Sequence, residues 1–119
     1  MMLVTYSNFE QGDIVVLPIP FSNLSDAKLR PAIIVSSNNF NQNYPDVIAL
    51  KITSIGHSLP FDVQLKFNDL IKGELLKDST INCAFVLTIE KTLIDKKIGK
   101  INNSKLNEIK EKLKELFTI

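Results

Sequence analysis

Arg30 stands in Leu29-Arg30-Pro31, where a polar loop gives way to the apolar run that begins at Ala32. Its guanidinium is permanently charged and carries a fork of donors matched to carboxylate or phosphate oxygens. Pro31 biases Arg30 toward an extended backbone. A second polar group, Thr53-Ser54, closes the β-favouring run from Asp46 to Thr53. A hydroxyl at a strand end can donate to a phosphate oxygen, although it is a poor base by itself. His57, the sole imidazole, follows four residues after Thr53 and belongs to the side-chain type that titrates near neutrality. Asp26 lies in the loop before Arg30 and is a candidate carboxylate for proton transfer. Phe21 offers a ring that can stack on a base, and Lys28 and Lys51 offer ammonium groups for backbone phosphates.

Each of these residues also has a plain structural reading. Arg30 can be a strand-end cation paired with a carboxylate. Thr53-Ser54 and Asp26 can bond their own backbone in turns. His57 can be an exposed loop residue, and Phe21 can pack beneath its own loop.

Other chemistries find little support. With one Cys and one His, a zinc site lacks ligands. The Gly residues are scattered at positions 12, 56, 73 and 99, so there is no Gly-rich phosphate loop. Cys83 sits in an apolar run and reads as a core residue. A lone thiol and an N-terminus without a charged, then apolar, leader point to a reducing cytoplasm. Net charge is 14 − 13 = +1, yet residues 91–119 carry eight Lys and four acids, a net of +4, against −3 for residues 1–90. A near-neutral total can therefore hide a basic face.

The elements that must position these groups are short. The 119 residues suit one domain with one core, spanning 1–119. Strands are expected over Ile14 to Pro20, Ala32 to Ser36, Asp46 to Thr53, Phe61 to Phe67, Thr80 to Thr88 and Ile98 to Ile101. The clean alternation of Phe61, Val63, Leu65 and Phe67 against Asp62, Gln64 and Lys66 marks a half-exposed antiparallel strand. Pro18 and Pro20 cannot donate to a ladder, so that end of the first strand should lie at an edge or leave the sheet. Phe21 to Leu29, Asn38 to Pro45 and Ser54 to Pro60 read as loops, and Asn68 to Gly73 as a turn. Glu90 to Lys97 fits either a short helix or an irregular segment. Leu106, Ile109, Leu113, Leu116 and Phe117 form one apolar stripe on a terminal helix capped by Asn103 or Ser104. Short strands with one helix predict a mainly β fold with minor α, a small antiparallel sheet bent on itself, because a single helix cannot cover a wide flat one.

Taken in order, Gly12-Asp13-Ile14-Val15, Pro18 to Phe21, Arg30-Pro31-Ala32-Ile33-Ile34-Val35-Ser36, Asp46-Val47-Ile48 through Ile52-Thr53-Ser54, Lys91 to Lys96 and Ile98-Gly99-Lys100-Ile101 resemble the MazF/PemK-like toxins. These are the endoribonuclease halves of type II toxin–antitoxin pairs. The resemblance covers nearly the whole chain. It implies an SH3-like barrel, a homodimer, no cofactor, and metal-independent, sequence-specific cleavage of single-stranded mRNA. It also implies a cognate antitoxin whose C-terminal segment wraps the toxin and blocks the RNA site. Related readings are a toxin of the same fold that grips a protein, as gyrase poisons do, and an inactive relative that only binds an antitoxin.

Under this resemblance the family's catalytic Arg falls on Arg30 and its catalytic Thr on Thr53, with Ser54 beside it. Metal-free RNA cleavage needs a base for the ribose 2′-hydroxyl, a positive group for the phosphorane, and an acid for the departing 5′-oxygen. The expected products are 2′,3′-cyclic phosphate and 5′-hydroxyl ends. Some family members carry an acidic residue in the loop that holds Asp26, whereas His57 departs from the family pattern. Arg30 and Thr53 should then face one shared groove, bordered by Phe21 to Leu29 and Ser54 to Pro60.

Overall fold

Gly12 turns the chain into its first strand. Its φ of +95° is one that residues with side chains rarely adopt. Its N–H donates to the Ile34 carbonyl at 2.8 Å, and its carbonyl accepts from the Ile101 N–H at 3.0 Å. Asp13 is buried but well partnered. Its carboxylate accepts from the Glu10 N–H at 2.8 Å and meets Lys97 at 3.0 Å and Lys100 at 3.5 Å. The Gly-Asp pair thus seats the first strand between two neighbours, and its role is structural.

The computed structural model describes residues 8–20, 27–54, 59–75 and 77–119. Among these residues the strands are β1 (Asp13–Pro20), β2 (Ala27–Ile34), β3 (Asp46–Thr53), β4 (Asp62–Leu65), β5 (Leu70–Gly73), β6 (Ser79–Glu90) and β7 (Lys96–Ile101). Two helices, α1 (Asn38–Asn43) and α2 (Asn103–Phe117), complete the fold. The strands form one sheet in the order β4-β6-β3-β2-β1-β7-β5, with antiparallel pairing throughout. Register shifts interrupt β1–β7, β3–β6 and β5–β7. Bulges of this kind sharpen twist, and the sheet curls into the small SH3-like barrel with a terminal helix.

Alternation along the strands builds two apolar layers. Ile14, Ile33, Leu50, Ile52, Ile81 and Cys83 join Ile109 of α2 on one face. Val15, Leu17, Ile19, Ala32, Ile34, Val47 and Ala49 form the other, against which Phe9, Phe85, Leu87 and Ile94 pack. The terminal helix begins one residue earlier than its stripe suggests. Asn102 is the cap, its side chain accepting from the Lys105 N–H at 2.8 Å. Phe117 is exposed and adds nothing to the stripe.

Several expectations need correction. Asn38 to Pro45 is not a loop throughout, because Ser37 caps a helical turn by accepting from the Phe40 N–H. Asn41 is buried there, bonded to Ser36, and its carbonyl accepts from the buried ammonium of Lys91. Asn68 to Gly73 begins in a helical turn, Phe67–Asp69, but continues as an edge strand, Leu70–Gly73, on β7. Phe67 leaves the β4 alternation and opens a 3₁₀ turn with its side chain exposed. Glu90 to Lys97 resolves into a 3₁₀ turn at Lys91–Leu93 and the start of β7. The second strand starts at Ala27 rather than Ala32, since Ala27, Lys28 and Leu29 pair with Pro20, Ile19 and Pro18 of β1. The proline end of β1 lies beyond Val16, the last residue paired with β7, so the missing N–H groups leave no gap in that ladder.

Candidate functional site

Pro31 sits inside β2, opposite Val16 of β1. Lacking an N–H, it cannot continue a second ladder. Pairing between β2 and β3 runs from Ile34↔Ala49 to Ala32↔Lys51 and stops there. Beyond Pro31, among the described residues, β2 pairs with β1 alone. Arg30 follows at this point, on an edge created by the proline.

Register decides which side chains share a face. In antiparallel pairs directly opposed residues point the same way. Ala32 and Lys51 are opposed. Continued two places, the same register sets Arg30 opposite Thr53. Arg30 also opposes Leu17 and Lys28 opposes Ile19, both members of the second apolar layer. Arg30, Lys28, Lys51 and Thr53 therefore lie on one face, at the margin of a buried apolar floor. Arg30 and Lys28 are exposed, whereas Lys51 and Thr53 are half-buried. Ser54 lies one residue beyond β3, exposed. The alternation that sets Thr53 on this face points its successor away.

The face extends past β3. Lys51 opposes Asn82 and Thr53 opposes Thr80 on β6. Asn82 in turn opposes Asp62, and Thr80 opposes Gln64, on β4. At the β3–β6 bulge Leu50 pairs with Val86 and Lys51 with Asn82, so Cys83, Ala84 and Phe85 are extra residues on β6. The odd number of extra residues reverses the alternation and brings Phe85 onto the same face as Asn82. Lys51 Nζ lies 4.7 Å from the Phe85 ring centroid, a cation–π contact.

These residues enclose a groove of about 390 Å³ lined by Lys51, Thr53, Leu59, Asp62, Asn82, Ala84 and Phe85. It is cationic at the β2–β3 end and carries a carboxylate at the β4 end. Cys83, between two lining residues, faces the opposite layer and is fully buried. Burial pushes its thiol up to about 11, so it is protonated at neutral pH and takes no part as a nucleophile. Among the described residues, no group of three or more His, Cys, Asp or Glu is placed to hold a metal ion.

Of the residues singled out in the sequence, Arg30, Thr53, Lys28 and Lys51 come to one face. Phe21, Asp26 and His57 lie outside the described residues. Asp62, Asn82 and Phe85 line the groove without having been singled out. Alternation in Phe61 to Phe67 marked Asp62 as facing away from the core, but nothing local to it tells that β6 and β3 carry the same face on to Lys51.

A family model described as PemK-like, MazF-like toxin of type II toxin–antitoxin system matches residues 10–117. Among curated proteins, no sequence matches. Solved structures share the fold at low identity. An endoribonuclease from a mycobacterial species superposes with a TM-score of 0.75 at 18% identity, covering 95% of this chain and 94% of that one. A mycobacterial endoribonuclease in complex with its cognate antitoxin gives 0.76 at 20% identity, over 92% and 95% of the two chains. MazF from Deinococcus radiodurans gives 0.73 at 20% identity, over 92% and 96%.

Proposed function

The chain belongs to the PemK-like, MazF-like toxins of type II toxin–antitoxin systems, and from that membership we propose that it is a sequence-specific endoribonuclease that cuts single-stranded mRNA without a metal ion. The observation that supports this reading is the common face of Arg30 and Thr53 at the point where Pro31 ends the β2–β3 ladder. A phosphodiester laid across that edge meets a guanidinium from β2 and a hydroxyl from β3.

In this reading Arg30 offsets the charge that builds on the phosphorane oxygens, where preorganised donors have their largest effect. Thr53 donates its hydroxyl to a phosphate oxygen and fixes the phosphate against Arg30. The 2′-oxygen attacks in line as the bond from phosphorus to the 5′-oxygen breaks, and the departing oxygen takes up a proton from solvent, leaving 2′,3′-cyclic phosphate and 5′-hydroxyl ends. For the 2′-hydroxyl proton the sequence offers Asp26 and His57 as candidate acceptors. Lys28 and Lys51 hold flanking phosphates, so binding weakens with salt. Within this proposal the partner is a cognate antitoxin and the working form is a homodimer. The fold shared with a mycobacterial endoribonuclease solved with its cognate antitoxin is consistent with this assignment.

The test is incubation of the purified chain with single-stranded RNA in excess EDTA. Discrete cuts are expected. Intact RNA in the chelator, or inhibition of DNA supercoiling in the absence of any RNA cut, would count against the reading.

A further inference from the structure

The groove beyond Thr53 has a chemical polarity that catalysis at Arg30 does not require. Its far wall is the pair Asp62 and Asn82, facing each other across β4 and β6. Asp62 is held at two points. One oxygen accepts from the Asn82 side-chain amide at 3.2 Å, and the other accepts from the Leu59 N–H at 2.8 Å. The Asp62 N–H returns a bond to the Leu59 carbonyl at 3.0 Å, which closes the turn on itself. The carboxylate is thus fixed in place before any ligand arrives.

Two accepted bonds leave the carboxylate with one acceptor site on each oxygen. The Asn82 amide is oriented by giving its donor to Asp62, and its carbonyl oxygen adds a third acceptor. The wall therefore presents acceptors to whatever enters. The side walls are apolar, from Leu59 and Ala84, while the ammonium over Phe85 stands at the opposite, phosphate-facing end. A volume of about 390 Å³ falls within the about 300–1,000 Å³ of small-ligand sites.

Asp62 stands off from the phosphate site along the sheet. Arg30 is on β2 and Asp62 on β4, three strand spacings apart in the sheet, or about 14 Å at about 4.8 Å each. That separation suits a base next to the phosphate held at Arg30 and Thr53.

Single-stranded RNA is read at the Watson–Crick edges of unstacked bases. Guanine alone presents two adjacent donors there, N1–H and the 2-amino group, which a carboxylate accepts as a parallel pair. Uracil's single N3–H is flanked by two carbonyls. Cytosine and adenine place a ring acceptor beside their amino group, which a carboxylate repels. Resting on the ribonuclease reading above, we propose that the β3–β6–β4 groove is a guanine subsite adjoining the scissile phosphate, with Asp62 as the residue that selects the base.

The test is cleavage-site mapping of a randomised RNA pool by the full chain and by D62N, followed by rates on the best substrate with guanosine or inosine at the selected position. Asn is isosteric, so it can still accept from the Leu59 N–H and leave the fold intact. The unaltered chain is expected to require guanine at one position next to the cut. Inosine, which lacks the 2-amino group, is expected to slow it about tenfold or more, as for loss of one hydrogen bond to a charged group. D62N is expected to lose the guanine preference and to cut the two substrates at equal rates. Cleavage with no guanine requirement, or a D62N variant that still discriminates guanosine from inosine, overturns the guanine subsite and leaves the ribonuclease reading standing. If the unaltered chain cuts no RNA, both fall.

Discussion

Replacing Arg30 by Ala should abolish most of the chemistry and almost none of the stability. Arg30 is exposed on the edge that Pro31 creates, so its removal leaves no buried cavity. Loss of an exposed side chain with a surface contact costs about 1 kcal/mol or less. Its effect on the reaction is electrostatic. A unit charge about 4 Å from the extra charge on a phosphorane is worth about 4 kcal/mol at an effective dielectric of about 20. Loss of one preorganised donor at such a centre costs about 2.7–4 kcal/mol. Because the guanidinium is partly solvated, the lower end applies, and a drop of about 10²-fold in the cleavage step is expected. Arg30→Lys keeps the charge but loses the planar fork, so it should fall between the two at about tenfold below the unaltered chain. Single-turnover cleavage of an end-labelled RNA in EDTA reads the rates, and a thermal melt of each variant checks the fold. An Ala variant that cuts within threefold of the unaltered chain, with an unchanged melting temperature, would refute the role given to Arg30.

Three other outcomes follow from the same structure. Lys51→Ala should weaken RNA binding and lower the slope of log affinity against log salt by about one, measured by fluorescence anisotropy; an unchanged slope would remove Lys51 from the phosphate path. Cys83, buried and with its thiol raised to about 11, should resist a thiol reagent at pH 8 in the native protein and react once it is unfolded. The unfolded thiol loses its proton first as pH rises, so the stability tied to Cys83 is intact below about pH 9 and fades through about pH 11. Urea midpoints should therefore fall more steeply over that range for the unaltered chain than for Cys83→Ala, and parallel curves would contradict the assignment. Ile109→Ala, at the fully buried contact of α2 with the sheet, should cost about 2–5 kcal/mol by denaturant unfolding; a loss under about 1 kcal/mol would mean that α2 is not docked as described.

The sequence disclosed the parts of this fold whose signals are local. The third strand, Asp46–Thr53, coincides with its β-branched run because no breaker interrupts it. The terminal helix follows its apolar stripe, differing only at the cap and at Phe117, where end effects dominate. The short helix at Asn38–Asn43 was hidden because an Asn-rich segment favours turns until a cap such as Ser37 fixes its first N–H. The edge strand Leu70–Gly73 was hidden because its partner, β7, lies far along the chain. The site divides in the same way. Arg30 and Thr53 stood out by residue type, position and family likeness, but their common face depends on register. Asp62 and Asn82 depend on two further cross-strand pairings, and Phe85 on a bulge that reverses the alternation of β6. Long-range pairing of this kind leaves no mark in a local window.

The most direct test of the account is end-group analysis of the RNA fragments that the unaltered chain produces in EDTA, with Arg30→Ala run in parallel. 5′-Hydroxyl ends that accept a kinase-transferred phosphate are expected, matched by 2′,3′-cyclic phosphate ends, with a loss of about 10²-fold in both for the Arg30 variant. Fragments with 5′-phosphate ends, or no fragments until a divalent metal is restored, would contradict it.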